Sequence, residues 1–223
     1  MILIGVVFMI IGLIVSGQLK RRFKEYSKIQ IASGLTGKEV AEKMLNDNGI
    51  YDVQIIEAKG MLSDHYNPAN KTVALSPDVF HNNSVAAAAV AAHECGHAVQ
   101  HANAYRWLQM RSSLVPMVQF SSSIMQWILL GGILLIKTFP YLLFFGILLF
   151  GATTLFSIIT LPVEFDASKR ALVWLNGSRV VSDQQHDKAA NALRWAASTY
   201  VVAALSSIAS LLYLILIYMG RRD

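Results

Sequence analysis

His93, Glu94 and His97 stand in the order H-E-x-x-H, inside AVAAHECGHAVQHA, a run made almost wholly of helix formers. On a helix, residues i and i+4 lie one turn apart on the same face. His93 and His97 can therefore aim two imidazoles at one metal ion. Glu94, beside the first of them, can reach a water on that ion. Two ligands and a general base within five residues suit metal-assisted hydrolysis by Zn2+. Burying two histidines and a glutamate in an Ala/Val-rich helix would be costly unless they were paired or metal-bound. Cys95, at a free position of the motif, reads as a small packing residue rather than a ligand or nucleophile.

A catalytic zinc keeps three protein ligands and one open position, so a third ligand is required. It must lie on the same membrane side as the two histidines. Glu164, in LPVEFDASKRAL, meets that condition. Asp166 is the neighbouring alternative. On a helix the two point to different faces, so only one can coordinate. His101, one further turn along from His97, does not follow the three-histidine metzincin spacing and reads as a surface or packing residue. His186 reads as a loop histidine that could also stabilise an oxyanion. His65 and His81 lie in turn-like surroundings and need no special role.

The elements that must position these groups follow from the charge and hydropathy pattern. The chain has 223 residues, 54% of them hydrophobic and 15% charged. Soluble domains average nearer a quarter charged, so this is a membrane-type composition. Residues 1–17 are uncharged, within the lower range for a span, and Lys20, Arg21, Arg22 and Lys24 follow at once. Charges after the apolar run argue for an uncleaved anchor rather than a signal peptide. The apolar stretch from about Leu114 to Leu161 fits two spans, broken only at Lys137-Thr138-Phe139-Pro140. Gly131, Gly132, Gly146 and Gly151 could allow close helix contact, but ordinary membrane-helix usage accounts for them. Thr199 to Met219 is uncharged and reads as a fourth span.

The expected organisation is a first transmembrane helix (1–19), then a zinc-peptidase half-domain (20–112) with the motif helix at 85–102. A transmembrane hairpin (113–162), a segment with the third ligand (163–198) and a last transmembrane helix (199–220) complete it. Basic residues concentrate in the two polar stretches, which places both in the cytoplasm. The same clustering beside apolar segments explains the net charge of +5 without nucleic acid. One cysteine excludes an internal disulfide. Within the half-domain, Thr36 to Glu39 matches a capping box and Gly49 closes the helix it starts. Tyr51 to Glu57 alternates as a strand, Asp64 to Pro68 is turn chemistry, and Ser84 is an N-cap. Lys71 to Ser76 reads as a second strand, and as the edge strand on which an extended peptide could pair.

Three blocks carry a resemblance: SDHYNPANKTVALSPDVF, SVAAAAVAAHECGHAVQHANAY and LPVEFDASKRAL. In that order, with a membrane hairpin before the last, they resemble the bacterial neutral zinc metallopeptidase family of integral membrane proteins. That family is itself similar to the membrane CAAX prenyl proteases and the heat-shock membrane proteases. The resemblance implies a mainly α integral protein of the bacterial plasma membrane, with four transmembrane helices and a small α+β zincin-like (gluzincin) catalytic domain. It implies that His93, His97 and Glu164 bind zinc and that Glu94 is catalytic. The substrate would be a peptide or a membrane protein, hydrolysed through a zinc-bound water with Glu94 as general base. The wider relatives carry an aspartate four residues after the glutamate ligand. Here that position is Ser168, whose hydroxyl could still orient a ligand. The competing expectation is an inactive membrane protein with a structural or regulatory metal site.

Overall fold

The computed structural model describes residues 2–60 and 63–220. It is mostly helical: α1 (Ile2–Tyr26), α2 (Gly37–Asp47), α3 (Pro77–Phe80), α4 (Val85–Ala102), α5 (Arg106–Leu134), α6 (Pro140–Gly177) and α7 (Asp183–Met219). A small sheet is formed by β1 (Gln54–Glu57), β2 (His65–Asn67) and β3 (Thr72–Leu75). Four helices, α1, α5, α6 and α7, are long and apolar enough to cross a membrane. Large apolar side chains stand exposed along them, including Leu13, Phe120, Trp127, Phe145 and Leu216. That pattern suits a surface solvated by lipid rather than water.

The chain divides into two compact units. One comprises residues 1–14, 109–162 and 199–223, the other residues 15–108 and 163–198. In the first, Leu129, Leu143, Ile147 and Leu214 form a small apolar core. The turn between α5 and α6 falls at Leu135 to Phe139, where the polar break predicts it. Two of the four glycines there do more than ordinary usage requires. A Cβ on Gly132 would stand 2.6 Å from the Leu143 Cα, and one on Gly146 would stand 2.8 Å from a Leu129 methyl. The missing side chains let α5 and α6 touch closely. Gly151 meets nothing within 4 Å and fits the ordinary reading.

In the second unit, Thr36 caps α2 with the complete box: its hydroxyl accepts from the Glu39 N–H, and Glu39 accepts from the Thr36 N–H at 2.8 Å. Gly49, at φ 69°, takes the left-handed position after the helix. The sheet order is β1-β3-β2, with β1 parallel and β2 antiparallel to β3. Two expectations are corrected here. The strand within Lys71 to Ser76 is the buried central strand, not an edge. His65–Asn67, expected as part of a turn, is the edge strand β2 instead. The turn begins after it, where the Asn67 carbonyl oxygen Oδ1 accepts the Ala69 N–H. Short strands are dictated by their partners more than by their own residues. Asp64 fixes the approach to β2 by accepting from the Ser76 N–H and hydroxyl at 2.7 and 3.0 Å.

Helix α4 starts at Ser84, whose hydroxyl caps the Ala87 N–H. Its alanines are buried along nearly the whole length, so neighbours approach its backbone closely. Helix α6 runs through Pro162 without a break, which carries Glu164 on the same helix as the apolar segment before it. The expected loop at 163–198 is therefore the end of α6, a short turn, and the beginning of α7. Trp174 donates to Asp47 at 3.0 Å, fastening α6 to α2. His186 is in the first turn of α7, not a loop, and its Nε2 meets the Leu172 carbonyl at 3.2 Å. It is occupied structurally.

Candidate metal centre

Helix α4 distributes its motif residues by face. Cys95 turns to α2, its thiol 3.6 Å from the Ala41 carbonyl, and burial pushes its pKa upward. Gly96 turns to α6: a Cβ there would stand 2.5 Å from the Ala167 carbonyl oxygen. That approach brings α6 within reach of the histidines. His93 Nε2 is 3.2 Å and His97 Nε2 3.6 Å from the same Glu164 oxygen, Oε2. One ligand atom from each of the three residues lies within 4.8 Å of the others. Glu164 is 2% exposed, so its charge needs a partner inside the protein.

The far sides of the two rings are held as well. Gln100, fully buried, donates its Nε2 protons to the Val163 carbonyl and the Asp166 carboxylate, both at 2.8 Å. Both are acceptors only, so the amide can point only its oxygen at His97. That oxygen is 3.1 Å from His97 Nδ1, which must therefore carry the proton. His93 Nδ1 is 3.1 Å from the Ser168 hydroxyl, which can accept in the same way. With Nδ1 protonated, the His97 imidazole turns its Nε2 towards the Glu164 carboxylate, and His93 aims its own Nε2 at the same oxygen. The two Nε2 atoms and the Glu164 carboxylate thus converge, with His97 and Glu164 buried and His93 partly so. Two imidazoles with a carboxylate suit Zn2+. Ser168 thus stands within hydrogen-bond reach of His93 at the position where the sequence departs from the aspartate of the wider relatives.

Asp166 is drawn away from the cluster. It binds Gln100 and Arg170, and Arg170 lies over the Tyr105 ring. His101 Nδ1 meets the Tyr66 hydroxyl at 2.7 Å. Burial, and then the charge of Asp52, raise the Tyr66 phenol to about 12, so it remains protonated. Glu94 is 8% exposed, and burial raises its carboxyl to about 7. The charges of Glu164 and Asp64 push it the same way, while His93 and the Tyr66 backbone N–H oppose the rise. A carboxyl with that value can exchange a proton near neutrality. Gln100 carried no motif signal in the sequence. Its only mark is a polar side chain one turn after His97, on the helix face that carries the two histidines.

A candidate metal site of two histidines and a glutamate, on a chain with four candidate membrane-spanning helices, suits a membrane protein of the zinc-peptidase class. The chain belongs to the family described as "Putative neutral zinc metallopeptidase", whose model matches residues 1–219. It is 40% identical over 206 residues to the "Putative membrane protease YugP" of Bacillus subtilis (strain 168), covering 92% of this chain and 91% of that relative. No solved structure matches the chain significantly.

Proposed function

We propose that this protein hydrolyses peptide bonds, with zinc held by His93, His97 and Glu164 and with Glu94 as general base. The observation that carries the reading is the convergence of His93, His97 and Glu164 beside the buried Glu94 carboxyl, which is raised to about 7. When bound, zinc supplies a Lewis acid that acidifies water towards a pKa of ~7 and polarises a carbonyl. Glu94 accepts the proton of the attacking water on a carboxylate oxygen and delivers it to the departing amine nitrogen. Gln100 and Ser168 keep the imidazoles turned to the ion. Burial keeps bulk water from screening these charges.

An extended peptide would pair with the free edge of β2, the strand whose Tyr66 N–H interacts with Glu94. Backbone pairing of this kind favours unfolded or extended segments, of soluble peptides or of membrane proteins, over a particular sequence. The basic residues of the two polar stretches favour a cytoplasmic active site. The rival reading, a closed structural metal site, needs a fourth protein ligand. Cys95, His101 and Asp166, the nearest candidates in sequence, are engaged with Ala41, Tyr66 and the Gln100–Arg170 pair respectively.

The test is zinc analysis of the detergent-purified protein with Glu164→Ala and Asp166→Ala. One zinc in wild type and Asp166→Ala, with little in Glu164→Ala, supports the site. Zinc retained in Glu164→Ala would eliminate Glu164 as the third ligand. Hydrolysis of an unfolded protein substrate by the zinc-loaded wild type then separates enzyme from structural site.

A further inference from the structure

One of the cavities that the peptidase reading does not use combines apolar and cationic walls. It opens beside the polar end of α1 with a volume of about 550 Å³. Leu19, Lys20, Phe23 and Lys24 form one wall, and Asp78 and Asn82 stand on the other. Lys20 and Lys24 are one turn apart on the same helix face, with the apolar Leu19 and Phe23 beside them. Among the described residues, neither ammonium has an ion-pair partner. Arg22, Lys38, Lys43 and Lys71 are each paired with a carboxylate.

The position of the cavity along the helix matters. Lys20 is the first charge after the uncharged run, three residues past Gly17. At 1.5 Å per residue, Lys20 and Lys24 stand about 5 and 10 Å beyond Gly17. That puts Lys20 within the phospholipid headgroups, which add roughly 5–8 Å to each side of the hydrocarbon core, and Lys24 just past their outer margin. A cavity with apolar residues beside two unpaired cations at this depth complements a molecule with the same division.

We propose that this cavity binds an anionic glycerophospholipid, its phosphate on Lys20 and Lys24 and the first acyl carbons against Leu19 and Phe23. Asp78 limits the choice. It repels extra negative charge, so a phosphodiester such as phosphatidylglycerol fits better than a doubly charged phosphomonoester such as phosphatidic acid. The proposal does not depend on hydrolysis or on zinc.

The experiment is native mass spectrometry of the full-length protein in detergent, titrated with phosphatidylglycerol, phosphatidic acid or phosphatidylcholine. Wild type should retain phosphatidylglycerol in preference to the other two. Lys20→Gln with Lys24→Gln should weaken that retention roughly thirtyfold, since each basic residue at an anionic surface contributes about a factor of five. Arg21→Gln with Lys28→Gln removes the same charge outside the cavity and should change retention by less than about threefold. Equal losses in the two double variants would mean diffuse surface attraction and overturn the proposal. Equal retention of phosphatidylcholine would do the same. Full competition by an equal concentration of glycerol 3-phosphate would reassign the cavity to free phosphate esters.

Discussion

Two helix crossings in this protein use the same device for different ends. Gly132 lets α5 meet the backbone of α6 at Leu143, and Gly96 lets α4 meet the backbone of α6 at Ala167. In the first, what lies alongside is apolar: Leu129, Leu143 and Ile147. In the second, the neighbours are His93, His97, Gln100, Glu164 and Ser168; the ring Nδ1 atoms are hydrogen-bonded to Gln100 and Ser168 at 3.1 Å, and Gln100 to the Val163 carbonyl at 2.8 Å. Apolar contacts tolerate small shifts because dispersion is non-directional. Hydrogen bonds between buried groups do not, because a lost partner leaves a desolvated polar atom. The same missing methyl group thus sets stability in one place and the aim of ligand atoms in the other.

The comparison can be broken in stages. Glu94→Gln touches neither crossing and should have the largest kinetic effect, lowering hydrolysis by about 10²–10⁴-fold with one zinc retained. Wild-type turnover by this variant, measured with an unfolded protein substrate, would remove Glu94 from the mechanism. The same variant tests the buried carboxyl. Its pKa is raised from 4.5 to about 7, so the neutral form is favoured and ionisation costs stability as pH rises through that window. Metal-free Glu94→Gln should therefore gain stability over metal-free wild type between pH 4.5 and 7. The gain should level off near an order of 3 kcal/mol, read from melting curves.

Gly96→Ala comes next. Its methyl group would collide with the Ala167 carbonyl, so α4 and α6 must separate and zinc affinity should fall by at least about a hundredfold, a steric cost of 1–3 kcal/mol being added to ligand misalignment. Gln100→Ala frees the His97 ring without moving a helix and should weaken zinc binding about 10–100-fold, measured by chelator competition. Gly132→Ala should lower the melting temperature by an amount equivalent to about 1–3 kcal/mol, while zinc stoichiometry stays at the wild-type value. Gly151→Ala, with open space around it, should change neither. Zinc loss in Gly132→Ala equal to that in Gly96→Ala would erase the distinction drawn between the crossings.

Much of this was legible in the sequence for identifiable reasons. Long uncharged runs and a helical two-histidine spacing are local signals, and α4 begins at Ser84 and ends at Ala102 as those signals predict. Glu164 could be reached by topology, since a hairpin returns the chain to its starting side. The sheet was less legible. Residues 65–67 carry turn-forming neighbours and became a strand because β3 offered an edge. Ser168 was reached only through the family resemblance, and Gln100 and Gly96 were hidden for another reason. Each acts through a residue more than sixty positions away, and no periodicity records such a contact. Gly132 and Gly146 were misread for a different reason: composition alone cannot tell a tight crossing from a lipid-facing glycine.

Helix α6 carries an apolar segment and Glu164 on one uninterrupted rod. During synthesis, the histidines emerge first and the glutamate only after the whole hairpin has been made. Until the end of α6 has been made and has docked on α4, the chain holds two imidazoles and no third ligand. The order of the chain is therefore a timer: a half-made copy cannot complete the ligand set, and capture of a metal by all three residues would mark the completion of α6.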